Sequence, residues 1–444
     1  MNKTKLMCTL LLVVLVLPVF CQVVYSEPEV LTLDDLPTLY GSLTIRSDSI
    51  LTINEGESGA VEGVLVLQGD AQTTPEFEIV NNGDLIIKNT VVCNTANFTI
   101  KNNGNLTFED VVITLDGDAS LSVSNDGTCA LSDANINVYG GLFYLTSTTS
   151  LTAHNLYIKD QFDGTLIANY GEADFSESTF VTNGAYGKIE IFNAGQLRLN
   201  HGVFDLNYGG TVNINSLQGT LEVSETTFDA SGWSHGKQSQ ANILAAKATW
   251  ETCSFVSSGG SINYQSHGEL NMTDSQFFVS SLNGSTIFSN FGPMAIKESV
   301  MTNDGGSLIV TNWDSMNIIE TTYNTSKTMN VMNNGDITAE NWHVKTVAAQ
   351  AQVLIFNDGN ITINTSFIEN VDSSELTSIG PEGKEFVESS GGTIAITNNG
   401  SIKIMVTPSG GSDSNLIYIL LLIIAVIVVV VLFLFRRRKP RYTF

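Results

Sequence analysis

Basic residues are scarce in this chain: 20 Lys and Arg stand against 45 Asp and Glu in 444 residues, a net charge of −25. Phosphate backbones are gripped by clustered Lys and Arg, so a nucleic-acid partner is excluded. Cysteine is also rare, with 5 in all, and Cys8 and Cys21 lie in an N-terminal segment that reads as a cleaved signal. The remaining Cys93, Cys129 and Cys253 are an odd set, which argues against a disulfide framework in an exported protein. His154, His201, His235, His267 and His343 show no H-x-x-x-H spacing, and no CxxC occurs, so no zinc motif is present. Charged residues make up only 15% of the chain while 43% is hydrophobic, which excludes a disordered acidic tail. In place of these absentees stand 38 Gly and 41 Asn, with many Ser and Thr. Those residues favour turns and strands over helices, so the chain is expected to be all-β.

The two ends carry addresses. Residues 1–26 have a positive start (Lys3, Lys5), an apolar run from Leu10 to Phe20 and a small residue, Ser26, before Glu27, the pattern of a secretory signal. Leu416 to Phe435 is an uncharged apolar stretch long enough, at about 1.5 Å per residue, to cross a hydrocarbon core as one helix. Arg436, Arg437, Arg438, Lys439 and Arg441 follow, which places the tail 436–444 in the cytoplasm by the positive-inside rule. Residues 407–415, rich in Gly and Ser, form a flexible linker before the span. Every acidic residue falls between the ends, so the exposed part, 27–415, has 13 basic residues against 45 acidic ones, a net −32. The expected location is a cell membrane, with a single span and the N-terminal part outside.

Between the ends one pattern recurs: two alternating apolar residues, Asn-x-Gly, then two more. It reads Phe77, Ile79, Asn81, Gly83, Leu85, Ile87, and again Phe98, Ile100, Asn102, Gly104, Leu106, Phe108. The frame returns around Gly127, Gly171, Gly195, Gly268, Gly292, Gly335, Gly359 and Gly400, with weaker copies at Ser49, Thr149, Gly219, Lys247 and Asp314. Most centres lie 21 to 24 residues apart, the period of a solenoid. Alternation with period 2 on both sides means strand, turn, strand. A third apolar column follows nine residues after each centre: Val92, Ile113, Ile136, Ile158, Phe180, Phe204 and Phe228, then Phe277, Met301, Tyr323, Val344 and Ile368. Three short strands per coil resemble the right-handed parallel β-helix of the pectin-lyase-like fold, over residues 40–406 of an extracellular part, 27–406, whose first residues cap the first rung. That resemblance implies 14 to 15 rungs, roughly 70 Å of stacked strands. The anchored layout is similar to that of archaeal surface proteins.

The pattern assigns structural roles first. Asn81, Asn102, Asn125, Asn169, Asn193, Asn290, Asn312, Asn333, Asn357 and Asn398 are expected to point inward and stack as an amide ladder, with the Gly two residues later making the turn, at a positive φ if the bend demands it. Cys129 replaces Leu85 and Leu106 in a core column and reads as a small buried hydrophobe. Two stretches break the spacing: 219–247, carrying Trp233, His235 and Lys237, and 359–400, which is either a degenerate rung around Gly380-Pro381 or a surface loop.

Candidate chemistry is limited. His201, His235 and His267 each precede Gly, as in the polygalacturonase site of the resembled fold, but the Asp cluster and Arg-x-Lys of that site have no counterpart here. Six residues after the centres stand Asp110, Asp133, Glu177, Glu225, Asp274, Glu298 and Glu320, with Asn89, Asn155 and Asn341 on other rungs. Read as structure, these cap a solvated corner. Read as chemistry, Asp274, Glu298 and Glu320 offer oxygen ligands to a divalent cation such as Ca²⁺, the one cofactor considered. Trp233 and His235 are the candidate glycan contacts, since an aromatic ring offers an apolar face to sugars. The expected function is a non-enzymatic structural or adhesion protein presenting a rod outside the cell. The alternative is a carbohydrate-binding or polysaccharide-degrading protein of the pectin-lyase-like class. The partners expected are the membrane and envelope polysaccharide or other surface proteins.

Overall fold

The computed structural model describes residues 49–364, apart from 62–63, 70–73, 163, 208, 235, 347 and 349–350. It also describes the strands Gln22–Tyr25, Glu29–Leu31, Ser42–Ile45, Lys384–Val387, Thr393–Asn398 and Ile402–Met405. Most of the signal segment, the linker and the membrane span lie outside these residues, as does Ile368. Ser120–Asn125, Thr128–Ser132 and Asn135–Val138 make one turn of the chain, and Leu142–Ser147 opens the next. Each strand pairs in parallel with its equivalents one turn before and one turn after: Ser120–Asn125 lies between Asn97–Asn102 and Leu142–Ser147. Three parallel faces result, here called first, second and third in chain order. The described residues form a parallel β-solenoid of about 12 turns and contain no helix. At about 4.8 Å per turn that stack is roughly 58 Å tall.

Alternation explains the core. Leu121 and Val123 on the first face, Cys129 and Leu131 on the second, and Ile136 and Val138 on the third all point inward and are buried. Each such side chain contributes about 1.5–3 kcal/mol by leaving water. The third-face column includes a stack of Phe180, Phe204, Phe228, Phe255 and Phe277, with successive ring centroids 4.7, 4.6, 5.4 and 4.6 Å apart. Phe255 fills the rung that the sequence pattern left irregular. At the start of the column Val91, not Val92, holds the core slot, because it pairs with Ile113 through a bulge between Glu109 and Val111.

The amide ladder forms as expected. Asn81 donates to Asn102 Oδ1 over 2.6 Å, Asn102 to Asn125 over 2.6 Å, and Asn125 to Ser147 Oγ over 3.0 Å. Later turns repeat it, Asn290 to Asn312, Asn333 and Asn357 at 2.9, 2.8 and 2.7 Å. The glycines beside this ladder serve a different purpose from the positive φ considered for them. Among the described residues none of them has a positive φ; a Cβ on Gly127 would strike the carbonyl oxygen of Gly104, and one on Gly195 that of Gly171. Close stacking of successive turns, not a left-handed backbone, excludes side chains there.

Register corrects two weak centres. Ser49 opens a first-face strand and pairs with Phe77, so it is no turn centre. Lys247 pairs with Thr220, one residue past Gly219, so Ala246 is the true centre of its turn. The long gap after Gly359 holds no extra rung among the described residues. Gln352–Asn357 pairs directly with Thr393–Asn398, and Lys384–Val387 returns antiparallel against that strand.

Candidate functional site

The carboxylate column occupies the corner between the second and third faces. Asn89, Asp110, Asp133, Asn155, Glu177, Glu225, Asp274, Glu298, Glu320 and Asn341 all sit at φ between 47° and 68°. His201 and Thr252 join them at φ 52°, completing 12 consecutive turns. Their left-handed backbone aims each amide at the turn above: Asp274 N donates to Lys297 O over 3.0 Å, Glu298 N to Ile319 O over 2.9 Å, and Glu320 N to Glu340 O over 2.8 Å. Asp and Asn tolerate this conformation better than other side chains, which accounts for their use. From Asp110 onward the residue after each is buried, and Ser275, Ser299 and Thr321 turn their hydroxyls back to the carbonyls of Thr273, Lys297 and Ile319. Cys253 takes the same place, its thiol donating to Glu251 O over 3.3 Å.

The geometry therefore brings Asp274, Glu298 and Glu320 into single file on successive turns. Among the described residues no three His, Cys, Asp or Glu side chains converge on one point. Lys297 Nζ lies 2.9 Å from Glu298 Oε1, so the middle carboxylate has a lysine partner. Elsewhere on the corner Asn155 donates to Asp133 over 2.7 Å, holding that carboxyl below its usual range. His201 Nε2 stands 2.7 Å from Glu225 Oε2.

The Trp233 segment is an insertion at the third corner, where the chain passes from the third face to the first. Thr211–Ser216 pairs directly with Gln240–Ala245, and the extra residues form a short hairpin, Trp233 opposite Gln238 and Ser234 opposite Lys237. His235 is outside the described residues, and so is the Trp233 side chain. Lys237 reaches back across the corner, its Nζ 3.2 Å from Ala185 O and 4.3 Å from the Tyr186 ring centroid. A cavity of about 510 Å³ lies beneath, lined by Ala185, Gly209, Thr211, Gly236, Lys237 and Gln240. On the same corner, fully buried Asp160 accepts from Phe162 N, Gly164 N, Lys188 N and Thr165 Oγ1 at 2.9, 3.3, 3.4 and 2.6 Å. Burial pushes this carboxyl up to about 6, against the donors that favour its charge.

The first face differs from the rest of the molecule in charge. Across ten consecutive strands of it, from Leu142–Ser147 to Gln352–Asn357, the charged residues are Lys188 and Glu190, which pair over 2.8 Å; towards the N-terminal end the same face carries Glu76, Glu78 and Lys101. The second-face strands of the same turns carry Glu172, Asp174, Arg198, Glu222, Lys247, Glu251, Lys297 and Glu340. Outward positions of the first face hold amides, hydroxyls and apolar groups instead. Asn263 donates to Asn242 over 3.0 Å and Asn242 to Asn213 over 2.9 Å, an external ladder. A groove of about 460 Å³ runs beside it, with Leu166, Tyr170, Phe192 and Leu244 among its walls. Further along the edge His267, Phe291 and Trp313 stack, with the last two rings 4.4 Å apart and 8° from parallel. Phe291 and Trp313 are 43% and 44% exposed. The sequence signal for this face lies in strands that are apolar on both sides, such as Leu308-Ile309-Val310 and Val353-Leu354-Ile355-Phe356, where simple alternation fails.

In comparison with known proteins, no family model, no curated protein and no solved structure matches the chain. The solenoid is established by its own strand pairing.

Proposed function

We propose that the chain is a non-enzymatic, membrane-anchored surface rod with a structural or adhesive role, and that its first face makes the contacts. The signal segment and apolar span motivate the location, and the composition motivates the role. The observation that carries the reading is the uncharged first face on an ectodomain of net −32. A strongly acidic surface keeps a protein soluble and apart from other acidic surfaces, and a long uncharged strip relieves that repulsion along one side. A second reading, neutral-glycan binding in the manner of the pectin-lyase-like class, is favoured by the groove in which Tyr170 and Phe192 lie beside Asn213 and Asn242. Full-length protein in liposomes, offered to a polysaccharide panel and to cells, tests both. Adhesion to cells that falls when Ile309 and Leu354 become Lys supports the reading. New reducing or unsaturated sugar ends in the panel would overturn it.

A further inference from the structure

We propose that the first face pairs with the first face of a second copy of this chain, forming a two-fold dimer of rods standing side by side. The proposal deepens the adhesive reading by naming the partner. Three observations carry it. Parallel sheets are ordinarily covered on both sides, and their strands then read as continuous apolar runs. Some first-face strands carry such runs, with Ile287, Ile309 and Leu354 pointing outward beside the inward Phe288, Val310 and Ile355.

The second observation is size. Ten turns at about 4.8 Å by five or six residues at about 3.3 Å give a sheet of roughly 48 by 18 Å, or about 850 Å². That matches the roughly 800 Å² per partner of a standard stable interface. The third is charge. Two identical rods of net −32 repel wherever their acidic corners or second faces approach. The ten strands from Leu142–Ser147 to Gln352–Asn357, whose two charges are the paired Lys188 and Glu190, are where two copies meet with the least of that penalty. Among two-fold arrangements, an axis parallel to the rods keeps both C-terminal anchors at the same end, as one membrane requires. In that arrangement the column of Tyr144, Leu166, Glu190, Asn263 and Ile309 lies near the axis and each residue faces its own copy, Glu190 with its partner Lys188 beside it.

The test uses full-length protein in detergent micelles or nanodiscs. Tyr144→Cys and Ile309→Cys, near opposite ends of the face, are expected to cross-link to themselves under mild oxidation. Asn271→Cys on the second face is not. Cys93, Cys129 and Cys253 are buried, with thiols pushed up to about 12, 12 and 11, and give little background. Sedimentation is expected to show a dimer, weakened on the order of a hundredfold by Ile309→Lys with Leu354→Lys, because symmetry buries each lysine twice. Circular dichroism of that variant checks that it folds, and the milder Ile309→Ser is expected to weaken the dimer in the same direction. A monomer at all concentrations, or equal cross-linking at Asn271→Cys, overturns the proposal. A monomer that binds a neutral polysaccharide through the same face also overturns it and leaves the adhesive reading standing. A monomer that binds neither cells nor glycans sinks both.

Discussion

Asn312 sits at the centre of an unbroken run of the internal ladder and is 1% exposed. Its Nδ2 donates to Asn333 Oδ1 over 2.8 Å and to Asp314 O and Ser315 O over 2.6 and 3.0 Å, while its Oδ1 accepts from Asn290 over 2.9 Å. Asn312→Ala removes all of these at once. It strands the Asn290 amide below, the Asn333 carbonyl above and a main-chain carbonyl beside it. Each buried polar group left unpaired costs about 1 kcal/mol at the low end, so the total is about 3 kcal/mol. Asn312→Ser is expected to cost only about 1 kcal/mol, because a hydroxyl can still accept from below and donate onward. Nature already makes that replacement at Ser147 and Ser216, which accept from Asn125 and Asn193 over 3.0 and 2.7 Å. Urea unfolding followed by far-ultraviolet circular dichroism measures the whole solenoid, and fluorescence adds a reporter in the adjacent Trp313. Equal stability of wild type and Asn312→Ala, or equal damage by Ala and Ser, would refute the ladder as a source of stability.

Other positions test other parts of the coil. Gly195→Ala is expected to destabilise by about 3 kcal/mol, as overpacking does, since its Cβ meets the Gly171 carbonyl. Gly56→Ala, at φ +80° in open space, should cost about 1 kcal/mol of backbone strain alone in the same urea assay. Glu298→Gly, at φ 51°, should be neutral or stabilising by up to about 1 kcal/mol, whereas Glu298→Val should be clearly destabilising; a thermal melt reads the order. Asp160, raised to about 6 from an ordinary value of 3.8, favours the folded state in its protonated form. Its contribution to stability therefore grows as pH falls from 6 to 4, by about 3 kcal/mol, and Asp160→Asn should flatten that part of the pH profile. A stability that rises equally with acid in both proteins would contradict the assignment.

How far the sequence reveals this fold depends on which residues are constrained by one turn and which by two. Period-2 alternation and the Asn-x-Gly spacing act within a turn, so the parallel coil, the inward amides and the role of Cys129 were all legible. Register between turns is not visible in the same way. A bulge at Glu109 moved the core slot from Val92 to Val91, and a first corner shortened to the one residue between Ala245 and Lys247, where the turn before has three between Ser216 and Thr220, hid Ala246. The missing rung after Gly359 has the same origin, because spacing alone cannot tell a 41-residue excursion from two coils. Of the candidate site residues, the carboxylates were placed correctly on one corner, yet their shared left-handed φ belongs to the backbone and only the Asp and Asn preference hints at it. The uncharged first face was missed for a different reason. Charge averaged over the chain conceals a strip that appears only when the outward positions of ten turns are aligned.

That partition of charge has a physical logic. A left-handed corner favours Asp and Asn, and with Glu177, Glu225, Glu298 and Glu320 also placed there this solenoid carries its carboxylates in single file along one edge. Repulsion down this edge is relieved locally, by Lys297 at Glu298, by Asn155 at Asp133 and by His201 at Glu225. The acidic edge and the charged second face then leave the first face as the side with little electrostatic cost of contact. Raising salt should therefore act differently on the two surfaces. At about 1 M ionic strength the screening length falls to about 3 Å, which weakens the repulsion between acidic edges and leaves apolar contacts on the first face intact. Rod-to-rod association through the first face is expected to strengthen with salt, measured by sedimentation between low and high NaCl. Association that instead weakens with salt would mean that ion pairs hold the contact, and the strands from Leu142–Ser147 to Gln352–Asn357, with their single Lys188–Glu190 pair, could not be the surface responsible.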